Sequence, residues 1–577
     1  MKTSPFPILN VIVFFPLASA LVLALLPGSL SETASRRLGL LAGLIEIGLV
    51  VYLVADFPVG RAGFQFVSDH SWITTFGIRW RLGVDGISLF LVAVTALVFP
   101  IAMVGPLLHR GSRAFMGWML LLEAACMGTF LSLDLFVFFI LFELTLVPAY
   151  FLIAGWGSER RNYAAMKFFI YTFAGSAFFF VAMLALVLLV APMNGGHQTF
   201  DLITLTRFAG RLPIADQVLI FCGFATAFAV KIPLVPFHSW LPDTYTEAST
   251  GGSMVLAGIL FKLGAYGLLR LGVFLVPRGA ADMAPVLLTL AAVGITYGAM
   301  VTIMQRDLKR LVAYASIVDV AFIVLGFFAF SQQGVSGGVL EMVNHGLTTG
   351  ALFFVVGMVW ERTRTFRFAE LGGLQKTAPI LAAVFLAVVL SAVGLPGLNG
   401  FVGEFLVLAG TFVTHRWWAV VGTTAIISGA IYLLWAYQRV FHGPLPVAAA
   451  AGSGAAVAVP SAGGGSHPIG GRGDSGDLPP VAPVETETPP VRPDMTWREI
   501  VAIAPLLAGI VFLGVFPKPF FDRVNPSVDH LLTHVQQAAP QVHVPAQARP
   551  QVRYSVPSDQ QVDGVNPTST GSGGGGQ

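Results

Sequence analysis

The segment VFFILFELTLVPAYFLIAGW, Val137 to Trp156, is twenty residues long, almost wholly apolar, and carries one carboxylate, Glu143. A helix needs about 20 mostly apolar residues to cross the hydrocarbon core of a bilayer. An acid near the middle of that core costs about 2.5–3.5 kcal/mol on insertion scales, so such acids usually face a protein interior and serve a function. The segment therefore predicts a membrane-spanning helix and makes Glu143 a candidate functional residue.

The whole chain shares this apolar character. Of its 577 residues 55% are hydrophobic and only 11% are charged, and the mean hydropathy is +0.77. Soluble globular proteins carry about 25% charged residues, so the composition indicates a polytopic membrane protein. A net charge of +3 indicates no nucleic-acid partner. The two cysteines, Cys126 and Cys222, offer no disulfide framework or metal-ligand spacing, which argues against an iron–sulfur or haem site on this chain.

Apolar runs of spanning length recur about fourteen times along the chain, and we number these spans in order. Their approximate bounds are 7–27, 38–56, 84–107, 115–132, 134–156, 164–191, 215–238, 253–276, 284–304, 310–330, 338–360, 378–410, 417–441 and 499–516. The expected fold class is an all-α polytopic membrane protein with about 14 transmembrane helices, since helices satisfy their own backbone groups in lipid.

Two of the spans contain helix-breaking residues beside a charge. Lys231 in the seventh span is followed by Pro233 and Pro236, and Glu404 in the twelfth follows GLPGLNG, residues 394–400. Proline removes a backbone donor and clashes with the preceding turn, so we expect both helices to be discontinuous. Discontinuous helices at matching places, five spans apart, are typical of inverted-repeat transporters. Spans 4–8 and 9–13 are therefore predicted to be two inverted five-helix repeats.

This reading divides the chain into six parts. They are the first three helices (1–108), the first repeat (109–276), the second repeat (277–442), a flexible cytoplasmic loop rich in Gly, Pro and Ala (443–497), a C-terminal fourteenth helix (498–524) and a disordered tail (525–577).

The distribution of basic residues predicts an orientation in the membrane, because Lys and Arg are enriched in short cytoplasmic loops. Loops after odd-numbered spans carry Arg36/Arg37, Arg110/Arg113, Arg160/Arg161, Arg306/Lys309/Arg310 and Arg362/Arg364/Arg367/Lys376. Those loops are expected to be cytoplasmic, with both termini on the periplasmic face. The loop between spans 2 and 3, with Arg61, Arg79 and Arg81, runs against this rule.

Several ionisable side chains lie inside the spans in the order acid, lysine, lysine, histidine, acid. A glutamate beside a lysine stabilises both charges in a low-dielectric site, and loss of that partner favours release of the lysine's proton. The pattern indicates a proton relay. Its candidate members are Glu143, Lys231, Lys262, His345 and Glu404, followed by His238, Asp319 and Glu123. The alternatives are structural: hydrogen-bonded carboxyls, lysines that reach the interface, and satisfied interior histidines.

At these residues the sequence resembles a known family, over about spans 3 to 13. The segments that carry the resemblance are FELTLVPAYFLIAGWG, KIPLVPFHSWLPDTYTEASTGGSMVLAGILFKLGAYGLLR, RDLKRLVAYASIVDVAF, NHGLTTGALFFVVGMVWERT and GLPGLNGFVGEFLVLAG. They are similar to the antiporter-like proton-pumping subunits of respiratory complex I, and among these to the subunit M, or mitochondrial subunit 4, type.

The resemblance implies fourteen helices, inverted repeats and a central hydrophilic axis. By motif match, Glu143 takes the role of the glutamate on helix 5 and Lys231 that of its lysine partner. Lys262, His345 and Glu404 match the central lysine, the histidine of helix 11 and the terminal acid of helix 12. Two residues depart from the family pattern, since Tyr245 and Asp319 stand where histidines are usual.

The resemblance also implies the chain's partners and location. No cofactor is expected on this chain, and FMN, iron–sulfur clusters and quinone are expected on partner subunits. The neighbours would be other membrane-arm subunits of complex I, especially the L-type and N-type antiporter-like subunits, together with membrane lipid, in a bacterial inner membrane. Three alternatives stay open: a multisubunit sodium/proton antiporter, a proton-pumping membrane hydrogenase and a passive scaffold. Glu404 argues against the antiporter, whose counterpart is usually lysine, and the buried charges argue against the scaffold.

Overall fold

The computed structural model describes residues 6–25, 31–104, 112–444, 494–542 and 544–545, and almost all of them lie in helices. The helices are α1 Ile8–Leu25, α2 Glu32–Asp56, α3 Gly86–Val104, α4 Ser112–Leu131, α5 Leu135–Leu144, α6 Leu146–Trp156, α7 Arg161–Val190, α8 Leu202–Ala209, α9 Ile214–Lys231, α10 Trp240–Glu247, α11 Thr250–Val255, α12 Phe261–Gly267, α13 Pro277–Ile303, α14 Leu308–Phe328, α15 Gln332–Thr363, α16 Pro379–Ala392, α17 Asn399–Thr414, α18 Arg416–Phe441, α19 Trp497–Val515 and α20 Lys518–Ala538. A hairpin of two strands, β1 Gln65–Ile73 and β2 Ile78–Val84, joins α2 to α3.

The predicted helical membrane fold is confirmed. Within the described residues, 13 segments are long and apolar enough to cross a membrane. Two shorter apolar helices, α16 and α17, follow one another in the place of the predicted twelfth span. The spans with the most buried surface are those centred on α12 and α15, whose spanning windows are 100% buried. These two spans therefore form the centre of the bundle.

Four spans are irregular, including the two that the sequence predicted. The seventh is interrupted between Lys231 and Trp240, and the twelfth between Ala392 and Asn399. The fifth is divided at Thr145, and the eighth alternates between α-helix and two π-helical segments, Leu256–Leu260 and Leu268–Val273. The arrangement of the bundle as two inverted repeats stays a prediction.

The loop that runs against the charge rule forms this hairpin, and two of its arginines are paired with acids. β1 and β2 pair in antiparallel register from Gln65 opposite Val84 to Ile73 opposite Ile78. Arg79 Nε donates to Asp69 Oδ1 at 2.7 Å, and Arg81 Nη1 donates to Asp201 Oδ1 at 2.7 Å. Acids contribute little to the charge rule, so this pairing does not change the count, and the orientation of the chain in the membrane stays a prediction.

Asp134 holds the adjoining end of the fifth span in place. As N-cap of α5, its carboxylate accepts hydrogen bonds from the backbone N–H groups of Phe136 and Val137 at 3.0 and 3.1 Å, and from that of Arg79 at 3.0 Å. Burial raises the pKa of Asp134 to about 6, and the three backbone donors oppose this rise only in part. The cap thus ties α5 to strand β2 at a point where the carboxyl is nearly shielded from water.

The expected ending of the chain is wrong for residues 516–538. A helix to residue 524 followed by a disordered tail was predicted, whereas α19 ends at Val515 and α20 runs from Lys518 to Ala538. Pro517 begins the new helix at its first turn, where proline is well tolerated. Apolar residues spaced three or four apart, including Phe520, Val524 and Val528, are buried. Of the predicted loop 443–497 and tail 525–577, residues 445–493 and 546–577 lie outside the described residues.

Helix α20 lies across the ends of several spans rather than beside them. The backbone N–H of Gly86, at the start of α3, donates to Ser527 Oγ at 3.0 Å. Ser336 Oγ on α15 donates to Asn525 Oδ1 at 2.9 Å. A ring nitrogen of His534 lies 3.1 Å from the carbonyl oxygen of Phe274 at the end of the eighth span. One amphipathic helix therefore connects three spans that are distant in sequence.

Candidate functional site

Glu143 lies one residue before a break in its helix. Pro148 has no N–H to donate to the carbonyl of Leu144, so α5 ends at Leu144 and α6 begins at Leu146. The residue at the break, Thr145, is fully buried, and its hydroxyl donates to the carbonyl oxygen of Phe142 at 2.7 Å. One oxygen of the Glu143 carboxylate is buried without a hydrogen-bond partner in the described structure. Residues 137–156, predicted to be one membrane-spanning helix, thus belong to two helices with a polar junction between them.

Lys231 is the last residue of α9, at the interruption of the seventh span. Its side chain is 2% exposed, and Nζ donates to Thr145 Oγ1 at 3.3 Å. The ammonium group also lies 4.7 Å from the centre of the Phe142 ring. A helix C-terminus carries a partial negative charge that favours a cation, so the interruption stabilises the lysine in its charged form. Trp240 Nε1 donates to the Val230 carbonyl at 2.9 Å, which satisfies a backbone group freed by the break.

Glu143 and Lys231, predicted to act as a pair, are near each other, and their charges interact through space. The direct hydrogen bond of the lysine is to Thr145 rather than to the carboxylate. A pair that interacts through space without a direct hydrogen bond keeps its electrostatic interaction, while each of the two groups stays free to gain or lose a proton.

Lys262 and His345 are in direct contact at the centre of the site. Lys262 is fully buried in α12, and its Nζ lies 2.9 Å from His345 Nδ1. Nζ also donates to the carbonyl oxygen of Ala257 at 2.7 Å, five residues earlier, in the π-helical segment. The Phe261 ring packs edge-on against the histidine, with ring centroids 4.7 Å apart. π-helical turns inside α-helices are frequent at functional sites, and here one supplies a carbonyl to the lysine.

The site continues from His345 toward the second interrupted span. His345 Nε2 lies 3.5 Å from Asp319 Oδ2 on α14. Asp319 and Glu404 interact electrostatically with each other and with Glu341, a buried acid on α15. The structure therefore brings Lys262, His345, Asp319 and Glu404 together, and adds Glu341.

A polar network fixes the break in the twelfth span that presents Glu404. Asn399 Oδ1 accepts from Ser391 Oγ at 2.6 Å, and Asn344 Nδ2 donates to the Asn399 carbonyl at 2.8 Å. Thr348 Oγ1 lies 3.0 Å from Ser391 Oγ. Gly394 has a φ of +78°, a backbone conformation that residues other than glycine rarely adopt. A Cβ at this position would also overlap the Glu404 carboxylate. The GLPGLNG motif thus turns the chain and leaves room for the acid.

We call Glu143, Lys231, Lys262, His345, Asp319 and Glu404 the buried row. Two of the predicted residues, Glu123 and His238, lie apart from this row. Glu123 on α4 is fully buried and neighbours Glu46 on α2, and neither carboxylate has a hydrogen-bond partner in the described structure. His238 packs against the ring of Tyr297 with centroids 5.1 Å apart. Tyr245, which replaces a usual histidine of the family, is fully buried and donates from its hydroxyl to the Leu256 carbonyl at 3.0 Å. The hydroxyl of Tyr245 is therefore committed to holding the eighth span.

A wide polar cavity of about 750 Å³ opens at one end of the bundle. Its lining includes Arg160, Glu247, Asp307 and Lys309, and Nζ of Lys309 donates to the carbonyl oxygen of Ala248. Within the described ranges, no group of three His, Cys, Asp or Glu residues is placed to hold a metal ion. The arrangement of the site is suited to moving protons between side chains.

Sequence reasoning missed three residues that this geometry brings into view. Thr145 was passed over because a threonine in an apolar run carries no charge, although Pro148 marks the break. Glu341 precedes His345 by four residues, and this spacing places both on one face of a helix. Glu46 lies in the middle of the second span, in LIEIGLV. The signal for both acids was the same as for Glu143, an ionisable residue inside an apolar run.

A row of buried acids and bases that runs through interrupted membrane helices defines the class of antiporter-like membrane subunits. Residues 132–428 match the family described as NADH:quinone oxidoreductase/Mrp antiporter, TM. The chain is 37% identical over 543 residues to NADH-quinone oxidoreductase subunit M of Rhodobacter capsulatus, with 91% of this chain and 96% of the relative covered. It is 34% identical over 588 residues to subunit M of Mycobacterium tuberculosis, covering 96% and 97%.

The solved structures agree with the relatives. A chain of respiratory complex I from Thermus thermophilus with bound NADH superposes with a TM-score of 0.76 at 30% identity, covering 91% of this chain and 99% of that one. A chain of the Mrp complex from Dietzia sp. DQ12-45-1b, at 20% identity, shares the fold, with a TM-score of 0.72 over 92% of this chain and 55% of that one. The chain belongs to the NADH-quinone oxidoreductase subunit M family.

Proposed function

We propose that this chain is a proton-translocating subunit of the membrane arm of NADH:quinone oxidoreductase. It conducts protons along the buried row while other subunits carry out the redox chemistry. One observation carries the proposal: Lys262 Nζ, both ring nitrogens of His345 and the Asp319 carboxylate follow one another at 2.9 and 3.5 Å inside the bundle. Consecutive groups at such distances exchange protons directly or through one water.

The physical reason for pairing acids with lysines is control of proton affinity. Burial disfavours the charged lysine, and a nearby carboxylate restores it, so a change in the partner's charge loads or unloads the amine. Glu143 acts in this way on Lys231, and Asp319 with Glu341 acts on Lys262. Protons enter from the cytoplasmic side, where the polar cavity lined by Lys309 is a route for water, and pass along the row toward Glu404.

The remaining assignments form part of the same proposal. Spans 4–8 and 9–13 are inverted repeats, each with one interrupted helix. FMN, iron–sulfur clusters and quinone are held by partner subunits, and L-type and N-type antiporter-like subunits are the neighbours in a bacterial inner membrane. Both termini lie on the periplasmic face. His238 and Glu123, which lie outside the row, have supporting rather than direct roles in proton movement.

The test is the Glu143→Gln variant in membranes that contain the assembled complex. NADH oxidation coupled to quinone reduction is measured together with proton pumping, and native gels report assembly. Both activities are expected to fall at least about tenfold, because glutamine cannot change its charge. Glu143→Asp should retain part of the activity, and Glu370→Gln, which changes an exposed loop acid, should resemble the wild type. An assembled Glu143→Gln complex that pumps normally would refute a relay through this pair.

A further inference from the structure

A small cavity lies beyond His345, between four helices. It is lined by the carboxyl-bearing residues Asp319 of α14, Glu341 of α15 and Glu404 of α17, and by Tyr432 of α18. Its volume is about 20 Å³. A site of roughly 10–15 Å³ by this measure is enough for one water molecule, provided that polar groups face it. The cavity is therefore sized for a single water.

The polar groups around the cavity lack enough partners within the protein. Tyr432 is only 3% exposed and lines the cavity. Glu341 is 6% exposed, and one of its oxygens accepts from Asn344 Nδ2 at 3.1 Å. The Asp319 side chain is 31% exposed and lines the cavity. Buried polar groups are nearly always hydrogen-bonded, so a water here would satisfy several of them at once.

Two glycines create the space for these carboxylates. A Cβ added at Gly403 would overlap Glu341 Oε2, and a Cβ added at Gly394 would overlap Glu404 Oε2. The remaining lining is largely apolar, with Val318, Phe322 and Ile426. The cavity is thus a defined polar site within apolar surroundings.

The charges explain what such a site would hold. Three neighbouring buried carboxylates cannot all be ionised, because like charges at close range in a low dielectric repel strongly. The nearest cation, Lys262, acts on Asp319 and Glu341 through space. Protonation of at least one of the three carboxyls removes this repulsion.

We propose that Glu341 is a further proton carrier of the row, and that it shares with Asp319 and Glu404 the water that this cavity can hold. The inference rests on the proposed proton-translocating function. In the transfer the Asp319 carboxyl releases its proton to the water oxygen, and the water gives one of its own protons to the Glu404 carboxylate. The water is regenerated, and no electron moves. The hydroxyl of Tyr432 orients the water, and Glu341 holds the proton when Glu404 is already neutral.

The decisive variant is Glu341→Gln, studied in the assembled complex by NADH oxidation and proton pumping. Glutamine keeps the size of the side chain and can still accept the hydrogen bond from Asn344, so a purely structural role would survive. The role of a proton carrier would be lost, because glutamine cannot take up and release a proton in this way. Coupled pumping is therefore expected to fall at least about tenfold in Glu341→Gln. Glu341→Asp should recover part of the pumping. Glu361→Gln, a buried acid on the same helix outside the cavity, is the matched control and should resemble the wild type.

A second measurement tests the water itself. Infrared difference spectra of the complex, recorded in H₂O and D₂O during turnover, should contain a protonated-carboxyl carbonyl band that is lost in Glu341→Gln. Tyr432→Phe, which removes only the hydroxyl, should shift the band and slow pumping. Unchanged pumping and an unchanged carboxyl band in Glu341→Gln would overturn the inference. If Glu143→Gln also pumps normally, the proposed function fails; if only Glu341→Gln does, this inference alone fails.

Discussion

Thr145→Val tests how the break in the fifth span controls Lys231. The hydroxyl of Thr145 donates to the carbonyl of Phe142 at 2.7 Å, so toward Lys231 Nζ, 3.3 Å away, it acts as the acceptor. Valine has nearly the same shape and no acceptor. A hydrogen bond to a charged group contributes about 1.5–3 kcal/mol, and the long distance places this one at the lower end. A loss of about 1.4 kcal/mol corresponds to a tenfold lower proton affinity of Lys231.

The expected result is a drop of about tenfold in coupled proton pumping at neutral pH, with normal assembly on native gels. Thr172→Val is the matched control, because Thr172 is also buried and its hydroxyl also donates to a backbone carbonyl, that of Phe168, at 2.7 Å. It differs in having no contact with a lysine of the row. Thr145→Ser keeps the acceptor and should restore pumping. The reasoning would be refuted if Thr145→Val reduced pumping no more than Thr172→Val does.

Two further predictions concern stability. The folded-state pKa of Asp134 is raised from 3.8 to about 6, so the folded protein binds an extra proton between these values and stability falls by about 3 kcal/mol as pH rises through this window, then levels off. Asp134→Asn keeps a good N-cap without the charge, and thermal unfolding of the purified complex at several pH values between about 4 and 7 should show a weaker dependence of stability on pH than in the wild type. Gly86→Ala should destabilise the chain by about 1–3 kcal/mol, because its Cβ would overlap the Arg523 carbonyl of α20. Faster proteolysis of α20 would report this loss, whereas Gly48→Ala, with nothing near its Cβ, should be neutral.

The parts of the fold and site that the sequence predicted share one physical cause. A charge within an apolar run and a proline after it are local signals, so Glu143, Lys231 and Glu404 and the breaks beside the last two are visible without a structure. Their spatial order is not local. That His345 Nδ1 faces Lys262 while Nε2 faces Asp319 depends on how three helices pack, and no spacing along the chain encodes it.

The failures have different causes. No strands were predicted between spans 2 and 3, and one contact that holds the hairpin, from Arg81 to Asp201, joins residues 120 positions apart in the sequence. The part of helix α20 beyond residue 524 was read as disordered because polar residues dominate its composition, although Phe520, Val524 and Val528 already show the four-residue spacing of an apolar helix face. In the second case the information was present and composition was given too much weight.

The interruption of the twelfth span has a consequence for how the protein is made. Helices α16 and α17 have 14 and 16 residues, and a bilayer crossing needs about 20, so neither can enter the membrane as a stable span alone. Residues 379–414 must therefore be inserted as one continuous hydrophobic segment during synthesis. The Asn399 side chain that fixes the break finds its Thr348 partner only when α15 is already beside it. The polar contacts that fix the break thus form only after α15 and this segment have met, so the site for Glu404 is completed late in biogenesis.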